Sequence, residues 1–167
     1  MIGPESTGKS TLSAALAAAL HTVWVPEYAR EYLQPRANAY DYEDLSRIAA
    51  GQLALEDNLA KKAADYLVCD TDLYVLKVWS EHRYGKTDDR ILQEIARRPY
   101  HLYLLCSTDM PWAEDPLREY PELEMRQYFY HIYRDIVINA GVPWTAVYGP
   151  QEQRLQQALA AIGDFRR

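Results

Sequence analysis

The sequence predicts an α/β fold in three layers. A parallel sheet of about five strands carries helices on both faces, with a lid segment near residues 107–121. Three observations lead there. Short apolar runs alternate with helix-period segments along the whole chain, which is the order of a parallel sheet with crossover helices. A glycine-rich stretch at residues 3–10 runs directly into a helical pattern. One segment, 107–121, holds three prolines and several charges and has neither period.

The elements follow in order. Residues 8–20 begin with Ser and Thr and continue with Leu and Ala at helical spacing, so they read as a helix. Val23–Val25 reads as a short strand closed by Pro26. Residues 27–33 form a short helix ahead of Pro35. Asp41 and Asp44 open a long helix over about 42–64, with Leu45, Ile48, Ala49 and Leu53 on its apolar side. Residues 66–69 form a buried strand between Asp65 and Asp70. Helices over 73–83 and 88–97 end at Gly85 and Pro99. Residues 101–106 make the next strand, 122–140 a helix stopped by Gly141 and Pro143, 144–148 a last strand and 151–162 a last helix.

The first strand does not fit this pattern. Only Met1 and Ile2 precede Gly3, where a full central strand is expected, so the expectation is a start several residues upstream or a clipped terminus.

With 167 residues and 49% hydrophobic content, one globular domain over 1–167 is expected. The net charge of −6 argues against a general nucleic-acid or anionic-membrane surface. No apolar run approaches the ~20 residues of a membrane span. Cys69 and Cys106 sit in apolar runs without metal or redox spacing, which suits reduced thiols in a cytoplasmic protein. Oligomeric state is not legible.

Gly3-x-x-x-x-Gly8-Lys9-Ser10 matches the Walker A phosphate-binding pattern in full. Its glycines let the backbone turn toward phosphates. Its N–H groups, including those of Glu5, Ser6 and Thr7, form an anion nest, and the following helix adds its positive end. Lys9 is expected to reach the β- and γ-phosphates of ATP, with Ser10 on Mg²⁺. A glycine-rich helix cap is the alternative. Asp70, at the carboxyl end of its strand, is a candidate Mg²⁺ carboxylate, and Asp72 a candidate beside it; both also suit helix capping. Glu27 and Arg30 follow the first visible strand at i, i+3 spacing. Glu27 is a candidate base for an acceptor hydroxyl and Arg30 a candidate substrate or phosphate ligand, against the plainer reading of an ion pair. In the lid, Arg118 is a candidate for charge on the transferring phosphoryl, and Arg126 a second one on the next helix. Trp112 suits ring stacking and loop packing equally. Gly149-Pro150 suits the edge of an adenine site, or simply a turn.

Five blocks, GPESTGKSTL (3–12), VPEYAREYL (25–33), GQ (51–52), CDTDLYVLKVW (69–79) and DMPWAEDPLRE (109–119), together resemble the ribosylnicotinamide kinase domain of the bacterial NAD-regulator family and its stand-alone relatives. The resemblance implies ATP- and Mg²⁺-dependent phosphorylation of the ribosyl 5′-hydroxyl of nicotinamide riboside. It implies phosphate and metal binding by Gly8, Lys9, Ser10 and Thr11, Asp70 on the magnesium side, and Glu27 and Asp72 near the acceptor ribose. It places Trp112 and Asp115–Arg118 in the lid. It does not carry over repressor or adenylyl-transfer activity, because the motifs for those are not found. A kinase for another nucleoside and a non-catalytic NTP-binding module stand as alternatives.

Overall fold

The computed structural model describes residues 1–165. Seven α-helices and four short strands follow one another as α1 (Lys9–Ala19), β1 (Trp24–Val25), α2 (Tyr28–Leu33), α3 (Tyr42–Ala60), β2 (Val68–Cys69), α4 (Leu73–Tyr84), α5 (Asp89–Arg97), β3 (Tyr103–Cys106), α6 (Leu123–Asn139), β4 (Trp144–Val147) and α7 (Gln151–Phe165). A 3-10 turn, Gln34–Arg36, extends α2; the proline at 35 removes the N–H that a further α-turn would need.

The expected sheet of about five strands is not formed as such. The described residues hold two parallel two-stranded ladders, β1 with β2 and β3 with β4. Met1 and Ile2 lie between them. The Ile2 N–H donates to Leu104 O at 2.9 Å, and the Cys106 N–H donates to Ile2 O at 2.9 Å. On the other side the Met1 amine donates to Cys69 O at 2.6 Å. Two residues sustain only this single bridge, so they do not count as a strand. The strands are also shorter than the apolar runs that predict them. Pro26 closes β1, and β2, which pairs with it, stops after two residues.

Helices cover both faces, as predicted. Along β3 the side chains alternate. Leu104 and Cys106 pack with Leu12 and Leu16 of α1 and Ala158 of α7. Tyr103 and Leu105 pack with Val78 of α4 and with Phe129, Tyr133 and Val137 of α6. Ile2 is fully buried in this second cluster, which at the usual transfer value stabilises the centre by about 2 kcal/mol. A third cluster joins α2, α3, α4 and α5 through Leu33, Leu45, Ile48, Leu76 and Ile91. Cys69 and Cys106 are buried free thiols, and burial raises both above the usual thiol range. Among the described residues no helix is long and apolar enough to cross a membrane.

Two details of α3 position the front of the molecule. Its start is a capping box, with Asp41 accepting from the Asp44 N–H and Asp44 accepting from the Asp41 N–H, each at 3.0 Å. In mid-helix, Gly51 faces the Tyr28 ring so closely that a Cβ would sit 2.0 Å from a ring carbon. Glycine there lets α2 lie against α3.

Candidate functional site

The phosphate loop comes first. Gly8 adopts φ 74° and caps α1, and Ser6 has φ 52°, so the chain turns tightly from Ile2 into the helix. The Thr7 hydroxyl donates to Pro4 O at 2.8 Å. The Lys9 ammonium donates to Gly3 O at 2.9 Å and to Pro4 O at 2.6 Å. Gly3 through Thr11 line one end of the main cleft, so the loop, Glu5, Ser6, Thr7, Gly8, Lys9, Ser10 and Thr11 stand together as the sequence predicts.

The segment 107–121, the lid expected from the sequence, packs on this loop. Ser6 Oγ accepts from the Ala113 N–H at 2.9 Å. The Glu5 carboxylate accepts from the Glu119 N–H at 2.8 Å; burial raises its pKa, and the two lid N–H groups oppose that. Arg118 donates to Ser6 Oγ at 3.4 Å and to Ala113 O. Arg126 is buried and donates to Ser6 O and Met110 O, each at 3.0 Å, while its Nε has no partner. Burial and then Arg118 push its pKa down. Trp112 lies beside both guanidinium groups, 5.9 Å from that of Arg118 and 5.8 Å from that of Arg126. It is not among the residues lining the cleft.

Glu27 and Arg30 line the cleft. Arg30 pairs with Glu27 at 3.3 Å and with the lid's Asp115 at 2.8 Å, so the ion pair and a tie to the lid coexist. Burial would raise Asp115, but the Leu117 N–H and Arg30 outweigh it and hold its pKa low. Glu27 occupies the N-cap position of α2 without capping it. The Tyr28 N–H donates to the Gln52 side-chain oxygen at 2.9 Å, and the Glu27 carboxylate, paired with Arg30, lines the cleft. Burial raises the pKa of Glu27; Lys9 opposes this and Asp70 adds to it. Lys9, Glu27, Asp70 and Arg30 therefore act on one another electrostatically.

Asp70 and Asp72 part company. Asp70 is buried, its Oδ1 has no hydrogen-bond partner, and it is the carboxylate whose field reaches Glu27 and Arg30. An orphaned buried carboxylate oxygen beside a phosphate loop suits a hard divalent cation. Ser10 and Asp70 are the residues of this chain that would hold Mg²⁺. Among the described residues no three His, Cys, Asp or Glu side chains gather as a metal cage. Neither Asp70 nor Asp72 is among the residues lining the main cleft; what separates them is the partners of Asp72. It caps α4, accepting from the Tyr74 N–H at 3.0 Å and the Val75 N–H at 3.3 Å, and it faces a separate pocket with Tyr100 and Tyr103.

The cleft has an aromatic wall as well. Val75, Val78, Trp79 and His82 of α4 stand on one helix face, and Phe129 and Tyr133 of α6 face them. Sequence reasoning did not single these out, although the i, i+3, i+4, i+7 spacing on α4 and i, i+4 on α6 is a readable signal. It also missed Arg154, a charged residue on the buried side of α7, one turn before Ala158. Gly149 lies outside the cleft lining; its N–H donates to Asp109 at 2.5 Å.

The comparisons agree with this geometry. Residues 1–154 match the family model described as AAA domain. The chain is 30% identical over 122 residues to the trifunctional NAD biosynthesis/regulator protein NadR of Salmonella typhimurium (strain LT2) and equally to that of Escherichia coli (strain K12). These matches cover 71% of this chain and 30% of each relative, so the chain spans about a third of the length of the curated relatives it matches. With a phosphate loop in place, helices on both faces of parallel strands and a family match over nearly the whole sequence, the chain belongs to the AAA domain family of P-loop proteins.

Proposed function

We propose that the protein is an ATP- and Mg²⁺-dependent kinase that phosphorylates the ribosyl 5′-hydroxyl of nicotinamide riboside, giving nicotinamide mononucleotide and ADP. The observation that carries this is the cleft itself: one cavity is lined by the phosphate loop, by the Glu27–Arg30 pair and by the aromatic side chains of Trp79, His82, Phe129 and Tyr133. Such a cleft suits a ligand with a flat, cationic ring joined to a sugar hydroxyl. The similarity to NadR, which its name connects with NAD biosynthesis, supports the same substrate class.

In this reading the acceptor hydroxyl gives its proton to Glu27 as its oxygen bonds to the γ-phosphorus. The bond from that phosphorus to the β,γ-bridging oxygen breaks, and ADP leaves. Burial keeps Glu27 more basic than an exposed carboxylate, which suits proton acceptance. Lys9 and the loop amides hold the phosphates. Arg118 of the lid and Arg126 of α6, both bonded to Ser6, would stabilise charge on the transferring group. Mg²⁺, when bound, neutralises phosphate charge. Arg30 joins Glu27 to the lid's Asp115, so lid position and base orientation are linked.

Purified protein supplied with ATP, Mg²⁺ and nicotinamide riboside should form the mononucleotide. A panel of other nucleosides tests the acceptor. Turnover of another nucleoside, with none of nicotinamide riboside, would sink the substrate assignment. Binding of ATP with no acceptor-stimulated ADP release would sink the kinase assignment and leave an NTP-binding module.

A further inference from the structure

We infer that Arg154 is a positioning residue for the bound nucleotide and that, with Asp109, it fixes the loop after β4 and the root of the lid to the phosphate loop. The inference rests on the nucleotide-binding reading above. Arg154 is completely buried, so it touches no ligand itself. Its guanidinium reaches three segments that are distant in sequence. Nε donates to Gly149 O at 2.7 Å, Nη1 to Thr7 O at 2.9 Å, and Nη2 to Ser107 O at 3.2 Å and to the Asp109 carboxylate. The other Asp109 oxygen accepts the Gly149 N–H.

The planar fork of arginine is what makes this arrangement specific. A rigid group with donors along three edges sets the relative positions of the carbonyls it binds. Burying a cation for stability alone is a poor use of it, since well-packed apolar residues often do as well. Here the cation aligns the phosphate loop at Thr7, the end of β3 at Ser107 and the β4–α7 loop at Gly149. Asp109 adds the lid to the same unit. The loop at Gly149 has φ 83° and lies directly before α7; these bonds hold its path together with that from the Tyr148 N–H to the Gln157 side chain at 2.9 Å. A base placed against that loop would be registered to the phosphates through one side chain.

The test separates base-side from phosphate-side anchoring. Binding of ATP and of inorganic tripolyphosphate, both with Mg²⁺, is measured by calorimetry for wild type, Asp109→Asn and Arg154→Lys. Asp109→Asn is expected to weaken ATP about tenfold and leave tripolyphosphate within about twofold, because its carboxylate holds Gly149 and the lid root but not Thr7. Arg154→Lys is expected to weaken both probes about tenfold or more, because the Thr7 anchor goes as well. If Arg154→Lys does not fold, Asp109→Asn decides alone, its side chain being 41% exposed. In Asp109→Asn, unchanged ATP binding or equal weakening of ATP and tripolyphosphate overturns the inference. Wild-type protein that binds neither probe overturns the phosphate-loop reading and the inference with it.

Discussion

Glu27 and Asp72 are both acidic residues at the start of a helix that follows a short strand, and they do opposite things. Glu27 stands at the front, beside the phosphate loop, with its helix capped by another residue. Asp72 stands at the back and caps its own helix. It faces Tyr103, and burial raises its pKa to about 6. Nearby, Tyr100 donates to both oxygens of Glu56 at 2.9 and 3.0 Å, and burial raises Glu56 as well. The front is a cleft lined by a carboxylate that is paired with Arg30 and caps no helix. At the back, Asp72 Oδ1 accepts the α4 N–H groups and Glu56 accepts from Tyr100, while Asp72 Oδ2 has no hydrogen-bond partner. Gln52 touches both, its oxygen on Tyr28 and its amide nitrogen 3.5 Å from Glu56. The difference teaches that residue type and position at a strand end do not make a carboxylate chemical; what matters is whether something else has relieved it of structural work.

The largest expected effect breaks the front. Lys9→Ala should cut turnover by about 10²–10³-fold with the melting temperature little changed, because a charge that stabilises the transferring phosphoryl is lost from a solvent-reachable loop. Steady-state kinetics beside a thermal melt check this, and near-normal activity removes the Walker A role. Next is Glu27→Gln, for which about a hundredfold loss in kcat is expected. The pH profile carries the sign. Glu27 must be ionised to accept a proton, and its pKa is raised, so activity should climb with pH through a range above that of ordinary carboxylates. That acid limb should vanish in the variant; a limb that survives assigns it to another group.

Gln52→Leu sharpens the comparison itself. It should leave the Tyr28 N–H unpaired at a cost of about 1–3 kcal/mol, read from denaturant unfolding. It should also slow turnover, as Glu27 turns to cap its own helix. A variant that loses stability and keeps full kcat would separate Gln52 from the front.

The smallest effect on activity belongs to the back. Asp72→Asn should turn over within about twofold of wild type, since asparagine caps a helix as well. Its stability should respond to pH. The folded state holds the Asp72 proton more tightly than the unfolded chain, with a pKa raised from 3.8 to about 6. Wild type therefore loses stability as pH rises through that window, and the loss is complete above it, on the order of 1–3 kcal/mol. The asparagine variant should lack this slope. A large loss of kcat in Asp72→Asn would return the residue to the acceptor side.

Much of the frame was legible in the sequence because it rests on local signals. Pro26, Gly85, Pro99 and Pro143 punctuate the chain where elements end or begin. The phosphate loop is legible because its geometry needs glycine at fixed positions. The long helix was expected to reach residue 64 and ends at Ala60, where Lys61 and Lys62 turn out of the pattern. What was not legible depends on contacts between distant residues. The duty of Asp72 is set by Tyr103 and by the α4 N–H groups, and the Tyr28 N–H beside Glu27 is taken by Gln52 on another helix. The position of Trp112 is set by two arginines that approach it from the lid and α6. Spacing along the chain carries none of these.

Lys9 already has oxygen partners in the protein alone, the carbonyls of Gly3 and Pro4. Phosphate therefore does not meet an unpaired ammonium. It must take the ammonium over from two backbone oxygens, which then need new partners of their own. The loop thus carries its charge in a neutralised, pre-folded form, and the heat released on binding reports the difference between two sets of hydrogen bonds. A small single anion offers little to win that exchange, whereas a chain of phosphates, spread along the whole loop, can replace several partners at once. Selectivity for a polyphosphate over a lone anion begins in this internal competition, before any acceptor enters the cleft.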